Sequence, residues 1–421
     1  MIKVHAVKEL RKRTALCFTF FFLVIFAYYV AKPVKSSLFL EWLGPAQLPL
    51  GYALSALVCL LGAYVFEFRL KRQWPRSLVT AILALFVLGF LVFRGAFLWL
   101  KAYSPLFSLA FFVYISFFAV AGVALFWAVC NDSFTSNESS QVYGYIGVGG
   151  ILGGLLGSIF TQYVTPWLGT ENMLFISAGT LALTLPLPLL LSDTVHGKAS
   201  EHDVWWAEWR SEAAKTKAGG LMGILKTPLL RDIACVVLFS TMMMTLFDFQ
   251  YQTIIKSADL SKDARTILFS KIFTYINLIG ILIHIAGSRR ILRRWGPVTG
   301  LWPLPVLCLG AVFALKVSPQ ISTVVVLWTG LGAVMYSLQQ VSKESMYVPA
   351  PRAIKYVAKG YIDTFVYRAG DALASLIIVW NTYFSHGVAA GLLGYNLVLG
   401  IFWIWIVWAI YRLGRHRTQA A

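Results

Sequence analysis

The sequence predicts an all-α polytopic membrane protein with twelve transmembrane helices in two six-helix halves. Three observations predict it. Apolar runs of about 20 residues, the length a bilayer core demands of a helix, recur along the whole chain. Basic residues gather in every second loop. The one long polar stretch, Asp193–Asp232, falls between the sixth and seventh runs.

In order, the expected spans centre on residues 14–34, 47–66, 78–100, 106–128, 143–164, 172–191, 233–253, 267–288, 298–316, 321–341, 360–384 and 391–411. The first follows a basic stretch (Lys3, Lys8, Arg11, Lys12, Arg13) and so resembles a secretory signal. It is long, lacks a small-x-small cleavage site and precedes eleven more spans, so it reads as an uncleaved first helix.

The formal net charge is +18, which raises nucleic acid as a partner. The cations do not share a face, however, but alternate between loops. With the N-terminus in the cytoplasm, the basic loops are Arg69–Arg76, Lys198–Arg231, Arg289–Arg294, Lys343–Lys359 and Arg412–Arg417. This positive-inside pattern places both termini in the cytoplasm of a bacterial inner membrane and excludes nucleic acid as a partner, leaving lipid and a small solute. Cys17, Cys59, Cys130, Cys235 and Cys308 are scattered singly without metal-ligand spacing and read as free thiols. No Ser/His/Asp, His/Cys or paired-carboxylate enzyme pattern occurs, so neither catalysis, a metal nor a cofactor is expected.

Domain organisation follows from the polar stretch: residues 1–192, a central cytoplasmic loop 193–232, and residues 233–421. Trp205, Trp206 and Trp209 alternate with Glu208, Arg210 and Glu212 in that loop, a composition suited either to a short amphipathic surface helix or to a linker packed on the cytoplasmic face. The halves resemble each other. Arg72-Gln73-Trp74-Pro75 has a counterpart 222 positions later in Arg294-Trp295-Gly296-Pro297, and Gly144-Tyr145-Ile146 recurs 216 positions later as Gly360-Tyr361-Ile362. Two matches at nearly one offset suggest a duplicated six-helix unit. Parallel repeats of this kind are the architecture of major facilitator transporters.

Six charges stand where charge is costly: Lys32, Lys35, Asp248, Asp363, Arg368 and Asp371 lie in or at the edges of apolar segments, in a chain whose mean hydropathy is +0.72. An ionisable group at the centre of a membrane helix costs roughly 2.5–3.5 kcal/mol on insertion scales, so such residues mark polar pathways. Solute transport is the reading they support. On an ordinary helix at 100° per residue, Asp371 lies about 80° from Asp363 and Arg368 about 140°, so the three share one side. They serve either as a substrate or coupling site, or as an Arg368–Asp371 i,i+3 pair bracing helices. Asp248 lies in span seven, and the 216-residue offset carries it back to Lys32 in span one. In the repeat architecture both helices line a central cavity, so Lys32 or Lys35 is expected to face Asp248, as part of a site or as an outer ion pair.

Six glycines crowd span five (Gly147, Gly149, Gly150, Gly153, Gly154, Gly157), and their i,i+4 spacing clears a face for close helix approach. A phosphate-binding loop is excluded, because no strand precedes them and no Lys-Ser/Thr follows. His284 in span eight reads as a satisfied polar residue between helices, with proton transfer as the alternative.

The chain also resembles the bacterial and plastid nucleotide (ATP/ADP) transporter family. The resemblance rests on Tyr336-Ser337-Leu338, Lys343-Glu344-Ser345-Met346-Tyr347-Val348-Pro349 and Lys359-Gly360-Tyr361-Ile362-Asp363, on Ala31-Lys32-Pro33-Val34-Lys35-Ser36-Ser37-Leu38 with Leu48-Pro49, and on Phe126-Trp127-Ala128-Val129-Cys130-Asn131. It implies an antiporter whose helix-one lysine is Lys35, whose helix-seven acid is Asp248 and whose cytoplasmic lysine is Lys343 or Lys359. The chain departs from the family in span four, where Val113-Tyr114-Ile115-Ser116-Phe117 is uncharged. The expected function is alternating-access transport of a small organic, anionic or nucleotide-like solute, with Lys32, Lys35 and Arg368 attracting negative charge. The alternative is a proton-coupled permease or exporter of an unrelated metabolite, in which Asp248 or Asp371 titrates.

Overall fold

The computed structural model describes residues 2–70, 75–191, 221–285, 294, 296–347, 359–384 and 390–419. Among these, eleven helices are long and apolar enough to cross a membrane: Val7–Trp42, Pro45–Val65, Arg76–Trp99, Lys101–Asp132, Gln141–Leu168, Met173–Leu190, Pro228–Ser257, Lys262–Ile283, Pro297–Val317, Ile321–Met346 and Leu392–Arg412. Each falls on an expected span. The expected eleventh span, 360–384, is also helical (Ile362–Val366 and Tyr367–Phe384) but is not one of the eleven by length and hydropathy. The Trp205–Trp209 segment and most of the two basic loop motifs lie outside the described residues.

The chain divides into two compact units, neither of them contiguous. The first comprises Met1–Leu43, Leu61–Val204 and Leu260–Thr274; the second comprises Gly44–Leu60, Trp205–Asp259 and Tyr275–Ala421. Relative to the sequence halves, the start of helix two goes with the second unit and the start of helix eight with the first.

In the first unit, helix one is the central strut. Cys17, Phe20, Val24, Ala27, Ala31, Val34 and Leu38, spaced by three or four residues, are all buried and pack with Phe111, Phe118 and Phe126 of helix four. Helix five closes on it through glycine. A Cβ at Gly149 would stand 2.7 Å from the Phe18 carbonyl oxygen and one at Gly157 2.8 Å from that of Phe26, while one at Gly153 would collide with the Phe22 carbonyl. Positions 149, 153 and 157 thus meet 18, 22 and 26 turn for turn, and backbone, unlike a side chain, cannot move aside. Gly153→Leu should therefore abolish the monodisperse folded species on size exclusion. Gly147→Leu, at a position with nothing within 4 Å, should not.

Helix five begins with a capping box. The Glu138 backbone N–H donates to the Thr135 hydroxyl at 3.4 Å and the Thr135 backbone N–H donates to Glu138 at 3.0 Å. Arg13 adds to it, donating to Glu138 Oε1 at 2.9 Å and to the Ser133 carbonyl at 2.5 Å. Burial opposes the Glu138 charge, but the Thr135 N–H and the Arg13 guanidinium outweigh it and hold the carboxyl below its ordinary range. A lowered folded-state value stabilises the fold above the unfolded value of about 4.3, and that stability is lost as pH falls through the folded value. Melting profiles should accordingly lose part of their acid sensitivity below about pH 5 in Glu138→Gln.

At the other end of helix one, the start of helix eight is tied down by polar bonds. Ser37 donates to the Lys262 carbonyl at 2.6 Å, and Asp263 accepts from both the backbone N–H and the hydroxyl of Thr170, at 2.8 and 2.6 Å. Two ion pairs, Lys262 with Glu171 and Arg265 with Glu41, complete the junction. These bonds explain why residues 260–274 belong with the first unit. Of the cysteines expected to stand singly, Cys17 and Cys130 lie within hydrogen-bond reach of each other. His284, just past Ile283 at the end of helix eight, is exposed.

Candidate functional site

Helix seven is the most enclosed of the eleven spans. From Thr241 to Gln252 every residue is buried except Asp248. A lipid-facing stripe would recur every three or four positions, yet Met244, Thr245, Tyr251 and Gln252 on that face are buried, so Asp248 does not belong to one. Its Oδ2 accepts from the Tyr52 hydroxyl and, at 2.6 Å, from Gln252 Nε2. These bonds also explain why the start of helix two goes with the second unit. Gln250, two positions on and facing another way, accepts from Asn396 at 2.9 Å, and Tyr251 stacks on Trp328 at 4.9 Å between ring centroids.

One turn from Asp248 along the helix, Thr245 donates to Asp371 Oδ1 at 2.7 Å, and Arg368 donates to Asp371 Oδ2 at 3.0 Å. The Arg368 and Asp371 side chains are 16% and 13% exposed, and the guanidinium also lies 5.2 Å from the Tyr367 ring centre. A close approach supports this contact, since a Cβ at Gly370 would stand 2.8 Å from Thr241 Cβ. The i,i+3 pair expected from the sequence is therefore present, and through Thr245 it joins helix eleven to helix seven.

Asp363 does not join them. It pairs with Lys343 at 2.8 Å, and the chain of charges continues from Lys343 to Glu344 at 3.9 Å and from Glu344 to Lys359 at 2.6 Å. The contact that Asp363 makes is therefore with helix ten, while Arg368 and Asp371 pair with each other. Ile362–Val366 is a π-helical turn, whose i→i+5 bonding accommodates an extra residue, so the ordinary 100° per residue does not carry across it. Helix ten has a second such turn, Met335–Gln339, which carries Tyr336. This tyrosine is 56% exposed although Ser337, Leu338 and Gln339 after it are buried. Tyr336 lies within electrostatic reach of both Asp248 and Asp371.

Lys32 and Lys35 belong to the first unit. The Lys32 ammonium sits over the Phe273 ring at 4.0 Å, with Tyr29 at 5.1 Å and Tyr28 at 5.7 Å, and that of Lys35 sits over Phe112 at 4.1 Å. Aromatic faces offset part of the cost of holding a cation in a membrane. Within the second unit the structure thus brings Asp363 to Lys343, with Lys359 beyond it across Glu344, and sets Arg368 and Asp371 one turn from Asp248. Sequence reasoning passes over Tyr52 and Gln252. A single tyrosine in an apolar span gives no signal, but Asp248 and Gln252 stand at i,i+4, and that spacing pointed to one.

The model of the Major Facilitator Superfamily matches residues 14–353. The chain belongs to the major facilitator superfamily. Solved transporters of this superfamily's fold agree. The structure is similar to the nucleoside transporter NupG (TM-score 0.65, 14% identity, covering 94% of this chain and 98% of that one). It is also similar to a POT family transporter solved in complex with 5-aminolevulinic acid (0.64, 12%, 94% and 95%). A third likeness is to a D-xylose-proton symporter (0.64, 12%, 94% and 97%). At these identities the likeness establishes the fold alone. No curated protein matches the chain. The narrower likeness to nucleotide transporters rests on the sequence motifs.

Proposed function

We propose that this major facilitator transporter moves a small anionic, nucleotide-like solute by alternating access across a bacterial inner membrane, with both termini cytoplasmic. The observation that carries the reading is the pair Lys32 and Lys35, two ammonium groups within one turn of a membrane helix, each set against aromatic rings. Cations partly withdrawn from water bind phosphate or carboxylate oxygens strongly, and rings beside them suit a planar base. The motif around them is also the one that resembles nucleotide transporters. In this reading Lys343 and Lys359, both paired with carboxylates here, meet the solute only after exchanging partners. Asp248, Arg368 and Asp371 set pairings that change during the cycle.

Vesicles loaded with ADP and exposed to labelled ATP provide the test. Native protein should exchange the two. Lys35→Ala should cut kcat/KM by roughly 30-fold or more, the equivalent of about 2 kcal/mol for a lost charge-assisted contact, while Lys35→Arg keeps part of the activity. Unchanged exchange in Lys35→Ala would make this lysine a bystander. The second reading, a proton-coupled permease, is favoured by the carboxylates Asp248 and Asp371 inside the second unit. It predicts flux that follows an imposed pH gradient and no nucleotide exchange.

A further inference from the structure

We propose that Lys271 on helix eight is the anchor of a site for an anionic phospholipid, its ammonium holding the phosphate while the acyl chains run along the same helix face. The inference goes beyond solute transport and does not depend on which solute is carried. Helix eight is regular from Lys262 to Ile283, so positions around it follow from the helix repeat. Lys271 is exposed. At 100° per residue, Leu278 and Leu282 stand within about 20° of it and Tyr275 within about 40°, and all three are exposed. The buried residues Arg265, Phe269, Ile272, Phe273 and Ile276 lie about 100° or more away. Leucines exposed in line along a membrane helix mark its lipid-facing stripe, and the lysine that shares their line meets lipid too.

A cation on such a stripe is costly unless an anion meets it. Other cations in the spans have protein partners: Lys32 and Lys35 sit over rings, and Arg368 is held by Asp371. Lys271 has no hydrogen bond, ion pair or ring contact among the described residues. Its depth suits a headgroup drawn slightly inward. The Lys262 end of the helix carries ion pairs as far as Arg265, six residues before Lys271 and a rise of about 9 Å. Side chains on a helix lean toward its N-terminus, and the four-carbon stem lifts the ammonium across most of that distance. The acyl chains then point toward Ile283, along Leu278 and Leu282. A ligand with one negative end and long apolar chains matches both the cation and the stripe; a soluble phosphate matches only the cation.

The test is native mass spectrometry of purified full-length protein with added phosphatidylglycerol or phosphatidylcholine of matched chains. The second carries the same phosphate, but its choline cancels the charge. Native protein should hold at least one phosphatidylglycerol about tenfold more tightly than phosphatidylcholine. Lys271→Leu should carry one such lipid fewer, and Lys271→Arg should retain it. Lys271→Gln guards against a folding defect: it should lose the lipid while melting as the native protein does. Glycerol 3-phosphate, which lacks the chains, should not displace the lipid. An unchanged count of phosphatidylglycerol in Lys271→Leu and Lys271→Gln, or equal retention of the two lipids by native protein, would overturn the proposal. So would displacement by glycerol 3-phosphate, which would set Lys271 on a water-filled path instead of the lipid face.

Discussion

Removing either partner of the Arg368–Asp371 pair should cost about 3–5 kcal/mol of stability, because each leaves the other as a mostly enclosed, uncompensated charge. The two losses differ in detail. Without Asp371, the Arg368 guanidinium keeps the Tyr367 ring, at 5.2 Å, as a weak substitute. Without Arg368, Asp371 keeps the Thr245 hydroxyl, at 2.7 Å. A matched neutral pair, Arg368→Gln with Asp371→Asn, removes both charges together and should recover most of the stability, since breaking a buried pair is far costlier than replacing it whole. Chemical or thermal denaturation in detergent measures this. Transport by the stable double variant then assigns the role: full activity would mean the pair only braces helices seven and eleven, whereas a folded but inactive protein places it in the transport cycle.

The second large effect is expected at Glu41 and Arg265, and it should be unequal. Arg265 is 2% exposed while the Glu41 side chain is 37% exposed. Glu41→Ala strands a guanidinium that water cannot reach, and one of its nitrogens, Nε, already lacks a partner among the described residues. Arg265→Met leaves a carboxylate that water can reach and fills much of the vacated space. Glu41→Ala should therefore lower stability by about 3–5 kcal/mol and Arg265→Met by clearly less. Equal losses, or the reverse order, would mean that the ion pair is not what holds the start of helix eight.

Much of the fold was legible because a bilayer imposes a length and an apolarity that can be read without tertiary knowledge. The same signal underestimates the helices themselves. Helix one runs on to Trp42, past the expected end at residue 34, because beyond its apolar core it is stabilised by Ser37 and Glu41 reaching helix eight. The glycine face of helix five was readable from spacing alone, although Gly147 has no part in it. The site was readable only in its charges. Arg368 and Asp371 meet because i,i+3 is a local relation. The partner of Asp363 was not readable, because Lys343 lies 20 positions away on another helix. Tyr52 and Gln252 matter through contacts with Asp248, and the Tyr52 contact joins residues 196 positions apart, a separation at which periodicity carries no information.

The exchange of segments between the two units bears on how the chain can mature. During synthesis Glu41 and Glu171 are made long before Lys262 and Arg265, their partners in the first unit. Tyr52 likewise precedes Asp248. The first unit is thus short of two cations until some 90 to 220 further residues have been inserted. Glu41 and Glu171 lack these two partners until helix eight arrives. Neither unit can reach its final bonding while the ribosome is still upstream of residue 265, so final assembly of both is post-insertional, and a chain severed in the loop between helices six and seven would release two fragments that each need the other to finish folding.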